Sequence, residues 1–199
     1  MSSKPLVSVL ITAYNREKLI VEALESVLEC TYRNIEIIIV DDVSSDNTLN
    51  VIKAFAEKDS RIRYYQNEKN LGDYPNRNRA ASYARGEYIT YLDSDDKMLP
   101  GGLEQCMEGM LKFPDAGIGM HWAESKGQPF IFSKEEAIKR HFFNNAFLVV
   151  GPGGTVLKKS FFDGIKGYPE KYGPANDMYF NLKAACYRSE ERRVGEECA

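Results

Sequence analysis

Apolar residues fall along the chain in two rhythms. Leu6 to Thr12 is a near-continuous apolar run, and Ile35 to Val40 is a second. Short runs of this kind predict strands covered on both faces. Between them, Leu19, Ile20, Ala23, Leu24, Val27 and Leu28 recur at helical spacing within Glu17 to Glu29. Asp46 is placed to cap a second helix whose inner face carries Leu49, Ile52, Phe55 and Ala56. Arg61 to Gln66 predicts a third strand, followed by the turn-prone Asn67 to Gly72. A helix over about Asn76 to Arg85 and a strand over Glu87 to Leu92 complete a β-α-β-α-β-α-β order. That order predicts an α/β fold, with a largely parallel sheet and helices on both faces.

Beyond Pro100 the rhythm is less regular. Leu103 to Phe113 predicts a helix, Gly117 to Trp122 an extended segment, and Ser133 the cap of a helix running through His141. Phe147 to Val150 and Thr155 to Leu157 flank the loop Gly151-Pro152-Gly153-Gly154, and Asp177 to Tyr187 predicts a last helix. The loop has two readings, a tight connection between strands or a close backbone approach to a ligand. Residues 188–199 are highly charged and aperiodic. We read them as a tail of foreign or truncated origin and assign them no function.

Composition narrows the class. The 199 residues suffice for one domain with its own core, and 43% hydrophobic and 28% charged residues are ordinary for a soluble protein. A net charge of -3 gives no basic field, so nucleic acid is not expected as a partner. Cys30, Cys106, Cys186 and Cys198 form no C-x-x-C pair, and reduced thiols in a cytoplasmic protein are the expectation. The N-terminus lacks the apolar core of a signal peptide, and no run is long enough to span a bilayer. Peripheral membrane association through further sequence stays open.

Three polar clusters carry the chemistry. Tyr14-Asn15-Arg16, Asp41-Asp42 and Asp93-Ser94-Asp95-Asp96 each follow a predicted strand, so all three converge on one sheet edge. Ligands of open α/β sheets bind there. Three carboxylates within four residues repel one another, and a hard divalent cation that brings its own phosphates relieves them. The competing reading is an exposed acidic turn. Tyr14 is either a core aromatic or a platform for a flat base. On the residues alone, Asp41 and Asp42 read as a helix cap and a solvated loop charge. Asp177, at the start of a helix, is a simple N-cap or a general base.

V-S-V-L-I-T-A-Y-N at Val7 to Asn15, I-I-I-V-D-D-V-S-S-D-N-T at Ile37 to Thr48 and G-E-Y-I-T-Y-L-D-S-D-D at Gly86 to Asp96 resemble glycosyltransferase family 2. Asn70-Leu71-Gly72 with Arg77-Asn78 is similar to that family's linking segment. The resemblance spans about residues 5 to 187 and is strongest up to Leu103. It implies a GT-A fold forming a single domain over residues 1–187. Residues 5–103 would be the nucleotide-sugar-binding half, and 104–187 an incomplete acceptor-side half. The implied activity is inverting, metal-dependent transfer of a hexosyl or N-acetylhexosaminyl group. The donor would be a nucleotide diphosphate sugar, in all expectation a UDP-sugar. The acceptor would be a hydroxyl of a glycan or glycolipid, in cell-surface polysaccharide or glycolipid synthesis.

The same resemblance assigns roles. Thr12 and Tyr14 meet the base, Asp42 accepts its N–H, and Arg77 lies near the donor nucleotide. Asp93 and Asp95 form the D-x-D: Asp93 serves the ribose or the metal, Asp95 holds Mn²⁺ or Mg²⁺, and Asp177 is the catalytic base. Family members often carry Glu-Asp where this chain has Asn176-Asp177. His121 and Trp122 are candidates for acceptor contacts. A catalytically inactive or truncated nucleotide-sugar-binding domain is the alternative. A sugar nucleotidyltransferase is disfavoured, because Thr12-Ala13-Tyr14-Asn15-Arg16 contains no glycine for a phosphate loop.

Overall fold

The computed structural model describes residues 4–120 and 131–187. His121, Trp122 and the charged tail lie outside the described residues. Six strands form one mixed sheet in the order β3-β2-β1-β4-β6-β5. Strands β1 (Val7–Ala13), β2 (Ile35–Asp41), β3 (Ile62–Gln66) and β4 (Tyr88–Asp93) run parallel. β6 (Thr155–Lys158) lies antiparallel against both β4 and β5 (Ile118–Met120). The α/β expectation is borne out, with β6 and β5 added beyond β4, of which only β6 runs against the rest of the sheet.

Alternation along each strand feeds two cores. Val7, Val9, Ile11, Ile35, Ile37 and Ile39 pack on α1 (Ile20–Glu29), α2 (Thr48–Ala56) and α4 (Gly102–Lys112). Leu10, Ile38, Val40, Ile89 and Tyr91 pack on α3 (Asp73–Ser82), α6 (Lys159–Gly164) and α7 (Asn176–Cys186). Both faces are covered, which is why β1 and β2 read as unbroken apolar runs.

Local chemistry explains where the boundaries differ. α3 begins at Asp73, three residues before the apolar pattern places it, with Pro75 inside its first turn. Proline costs little there, because first-turn N–H groups have no intrahelical acceptor. Gly72, at φ 84°, turns the chain into this helix. α5 (Lys134–Phe143) starts on a full capping box, in which Ser133 and Glu136 bond reciprocally. Segment 147–150 is no strand. His141 Nδ1 accepts from the Leu148 N–H at 3.2 Å, and Asn181 Nδ2 donates to the carbonyls of Leu148 and Val150.

At the amino ends of the strands, opposite the polar clusters, a buried carboxylate joins four segments. Glu36 Oε1 accepts from Ser8 Oγ at 2.7 Å and the Arg85 N–H at 2.6 Å. Its Oε2 accepts from Arg63 Nη1 at 3.0 Å and Arg85 Nε at 3.1 Å. Burial works to raise its pKa, but these four donors outweigh that and hold it below the ordinary value. Ser8 Oγ also accepts the Gly86 N–H at 2.9 Å. No described helix is long and apolar enough to cross a membrane.

Candidate active site

Strand register decides which side chains meet. Ala13 of β1 stands opposite Asp41 of β2, and Thr12 opposite Asp93 of β4. The Asp42 N–H extends the pairing by donating to the Ala13 carbonyl at 2.8 Å. All three sequence clusters therefore do share one carboxyl-terminal edge. Tyr14 is half-exposed there, with its ring free of close protein aromatics among the described residues.

The loops after β1 and β2 are laced together. The Asn15 N–H donates to Ser44 Oγ at 3.0 Å, and the Ser45 N–H returns a bond to Asn15 Oδ1 at 2.8 Å. The Arg16 N–H reaches Thr48 Oγ1, and the Glu17 N–H reaches Asp46 Oδ2. Asp46 Oδ1 accepts the Thr48 N–H, so it supports the start of α2 from one position before the Asn47 cap. Asn15 and Val43 both adopt left-handed backbone, at φ 52° and 63°. Asparagine tolerates this, whereas a β-branched residue there is strained.

Asp42 is only 3% exposed. Its Oδ1 accepts from Asn67 Nδ2 at 2.7 Å and the Leu71 N–H at 2.8 Å, and its Oδ2 accepts the Gly72 N–H at 2.9 Å. A carboxylate has about four acceptor positions, so one on Oδ2 remains. Asp41 is buried, accepting the Ser44 N–H and Gln66 Nε2, with Oδ1 left without a partner.

Arg77 is the buried cation of the edge. Its Nε donates to Asp73 Oδ1 at 2.7 Å, and its Nη2 lies 2.8 Å from Asp93 Oδ1. The second contact is a charge pair without hydrogen-bond alignment, and the buried Nη1 has no partner. Burial alone would lower the guanidinium pKa, but the charges of Asp93 and Asp73 outweigh it and raise it. The Tyr91 hydroxyl donates to the Arg77 carbonyl, and the guanidinium sits 5.7 Å from that ring.

Asp93 is one-third exposed. Asp95 is half-exposed, and its carboxylate lies a loose 3.7 Å from Arg16 Nε. The Asp96 N–H closes a turn onto the Asp93 carbonyl. Among the described residues no three His, Cys, Asp or Glu side chains group as a metal cage. Two strand-end carboxylates facing solvent fit a hard cation that takes its remaining ligands from phosphates and water.

Asp177 comes from the second half of the chain and lies beside Tyr74 of α3. The Met178 N–H fixes its Oδ1 at 2.6 Å. A methyl group built on Gly151 would meet Oδ2 at 3.9 Å, an ordinary contact, which places this loop beside the carboxylate. Tyr74 adjoins both halves: burial raises its phenol pKa, and the charges of Asp177 and Asp73 push it further in the same direction. An open cleft of about 600 Å³ runs beside them, lined by Leu71 to Pro75 and by Glu170, Gly173, Pro174 and Asn176. Asp73, Tyr74 and the cleft were missed in the sequence, where Pro75 hid the start of α3. Arg16 was visible only as a member of its cluster.

The sequence model described as "Glycosyl transferase family 2" matches residues 8–163. A Campylobacter jejuni relative, GalNAc(5)-diNAcBac-PP-undecaprenol beta-1,3-glucosyltransferase, is 31% identical over 89% of this chain and 60% of its own length. An Escherichia coli relative, UDP-Glc:alpha-D-GlcNAc-diphosphoundecaprenol beta-1,3-glucosyltransferase, is 43% identical over 54% of this chain and 42% of its own. Among solved structures, S. aureus TarS 1-349 superposes with a TM-score of 0.71 at 24% identity, covering 90% of this chain and 55% of that 1-349 chain. This chain spans 60% or less of the length of both relatives. The family match runs through β1, β2 and β4 and takes in the strand-end residues Thr12, Asp42 and Asp93. On that match the chain is a member of glycosyltransferase family 2.

Proposed function

We propose that the chain forms the catalytic domain of an inverting glycosyltransferase. It takes a sugar from a UDP-sugar and passes it to a hydroxyl of a glycan or glycolipid acceptor. The observation that carries this reading is the strand register that sets Thr12, Asp42 and Asp93 on one edge. The donor named for the Escherichia coli relative, UDP-Glc, supports uridine, and the diphosphoundecaprenol acceptors of both relatives support a lipid-linked glycan.

In this reading Tyr14 stacks on the base, and the open acceptor position on Asp42 Oδ2 takes the single imide N–H of uracil. Asp93 and Asp95 hold a divalent cation, which when bound neutralises charge on the diphosphate leaving group. Arg77, with Nη2 2.8 Å from Asp93 Oδ1, orients that carboxylate. Asp177 Oδ2 accepts the proton of the acceptor hydroxyl as that oxygen bonds to the anomeric carbon and the diphosphate departs from the opposite face. The bond from the Met178 N–H leaves Oδ2 as the oxygen that receives the proton.

Thermal-shift titration tests the donor half. UDP with Mn²⁺ raises the melting temperature of the wild type, and Asp95→Ala abolishes the Mn²⁺-dependent part. No shift with the wild type defeats the reading. Asp177→Asn retains the UDP shift and loses transfer; retained transfer removes Asp177 as the base.

A further inference from the structure

We propose that Asp73 reads the hydroxyl groups of the sugar being transferred, with Arg77 holding it in register. The inference rests on the donor reading above and names the residue that would select among donors. Nε and Nη2 lie on one edge of the planar guanidinium, so Asp73 and Asp93 are fixed relative to each other. Arg77 itself is 9% exposed, whereas the Asp73 side chain is 56% exposed. A helix-surface pair four residues apart exposes both partners and contributes little. Here one carboxylate is held out into solvent on a buried, immobile cation.

The surroundings of that carboxylate give the ligand class. Only Oδ1 of Asp73 is engaged; among the described residues Oδ2 receives no hydrogen bond. Asp73 lies in the wall of the 600 Å³ cleft, between Gly72 and Tyr74 and across from Asn176, the residue before Asp177. The sugar of a donor clamped at Asp93 and attacked beside Asp177 has to pass this wall. A pyranose offers adjacent hydroxyl donors to a carboxylate and an apolar ring face to an aromatic, here Tyr74. A site built on such a hydrogen bond rejects the sugar whose hydroxyl points elsewhere.

The test measures UDP release with UDP-glucose, UDP-galactose, UDP-N-acetylglucosamine and UDP-N-acetylgalactosamine. Wild type, Asp73→Asn and Asp73→Glu are compared, and UDP affinity is measured alongside by calorimetry. In Asp73→Asn the kcat/KM ratio between the best donor and its C4 epimer should fall by about tenfold or more, with UDP affinity held within about twofold. Asp73→Glu keeps the charge for Arg77, guarding against a folding defect, and should shift the ratio too. An unchanged ratio in both variants, or an equal loss of UDP and of every sugar, overturns the inference. If wild type binds UDP and discriminates but the variants discriminate equally well, Asp73 alone is wrong. If wild type binds no nucleotide, the donor reading falls and this inference with it.

Discussion

Glu36→Gln isolates the contribution of the buried carboxylate at the amino ends of the strands. The carboxylate takes four donors, two on each oxygen, while its side chain is 5% exposed. Glutamine keeps one oxygen, which serves Ser8 and the Arg85 N–H. Its amide nitrogen then faces two guanidinium groups that are themselves donors. Removing one partner of a buried ion pair costs about 3–5 kcal/mol. Arg85 is 66% exposed and Arg63 31%, so both can turn to water, which puts the cost near the lower end, about 3 kcal/mol. Against a total of about 5–15 kcal/mol, that is a large share of the stability.

Urea denaturation reads this directly. With m of about 2 kcal/mol per molar, the midpoint drops by about 1.5 M at pH 7 with m unchanged. Acid supplies the second arm. Glu36 has a folded pKa below its ordinary value of 4.5, so its contribution is full above that pH. It is lost as pH falls through the lower folded pKa. The gap between wild type and variant should therefore narrow on acidification below pH 4.5. A midpoint change under about 0.3 M at pH 7, or a gap that widens in acid, refutes the reasoning.

Two substitutions involving glycine have opposite signs. Gly86→Ala destabilises by about 2–3 kcal/mol, because the added carbon would lie 2.6–2.8 Å from Ser8 Oγ, Ser8 N and the Tyr88 carbonyl; a melting temperature within error of wild type contradicts this. Val43→Gly relieves left-handed strain of about 1–2 kcal/mol and incurs about 0.5–1 kcal/mol of glycine entropy. A net gain of up to about 1.5 kcal/mol in urea is expected, and a lowered midpoint counts against the strain.

How much was legible varied with the kind of information needed. β1 and β2 were plain, because a strand covered on both faces is apolar at most positions, and the buried polar pair Ser8 and Glu36 does not break the pattern. The convergence of Thr12, Asp42 and Asp93 came from strand order alone. The direction of β6 was not readable, since four residues pair equally well either way and tertiary packing decides. α6 went unseen, being six residues long with no full turn of polar contrast. Contacts such as Arg77 with Asp93, 16 positions apart, depend on how a helix lies across a sheet, and no local pattern records that. The same limit hid Glu36: nothing in I-E-I-I-I-V marks where its partners lie, and its donors come from 27 to 49 residues away.

The antiparallel seam between β4 and β6 has an evolutionary consequence. Three residue pairs, Tyr88 with Lys158, Ile89 with Leu157 and Thr90 with Val156, join the later strands to the parallel sheet. A bond from Thr90 Oγ1 to the Thr155 carbonyl reinforces them. Such a short join, made largely of backbone groups, asks little of the side chains at the seam itself. The heavier constraint on divergence falls on Leu157, Phe162 and Phe180, which share a core with Ile89 and Tyr91, so a rebuilt second half would have to preserve that apolar face.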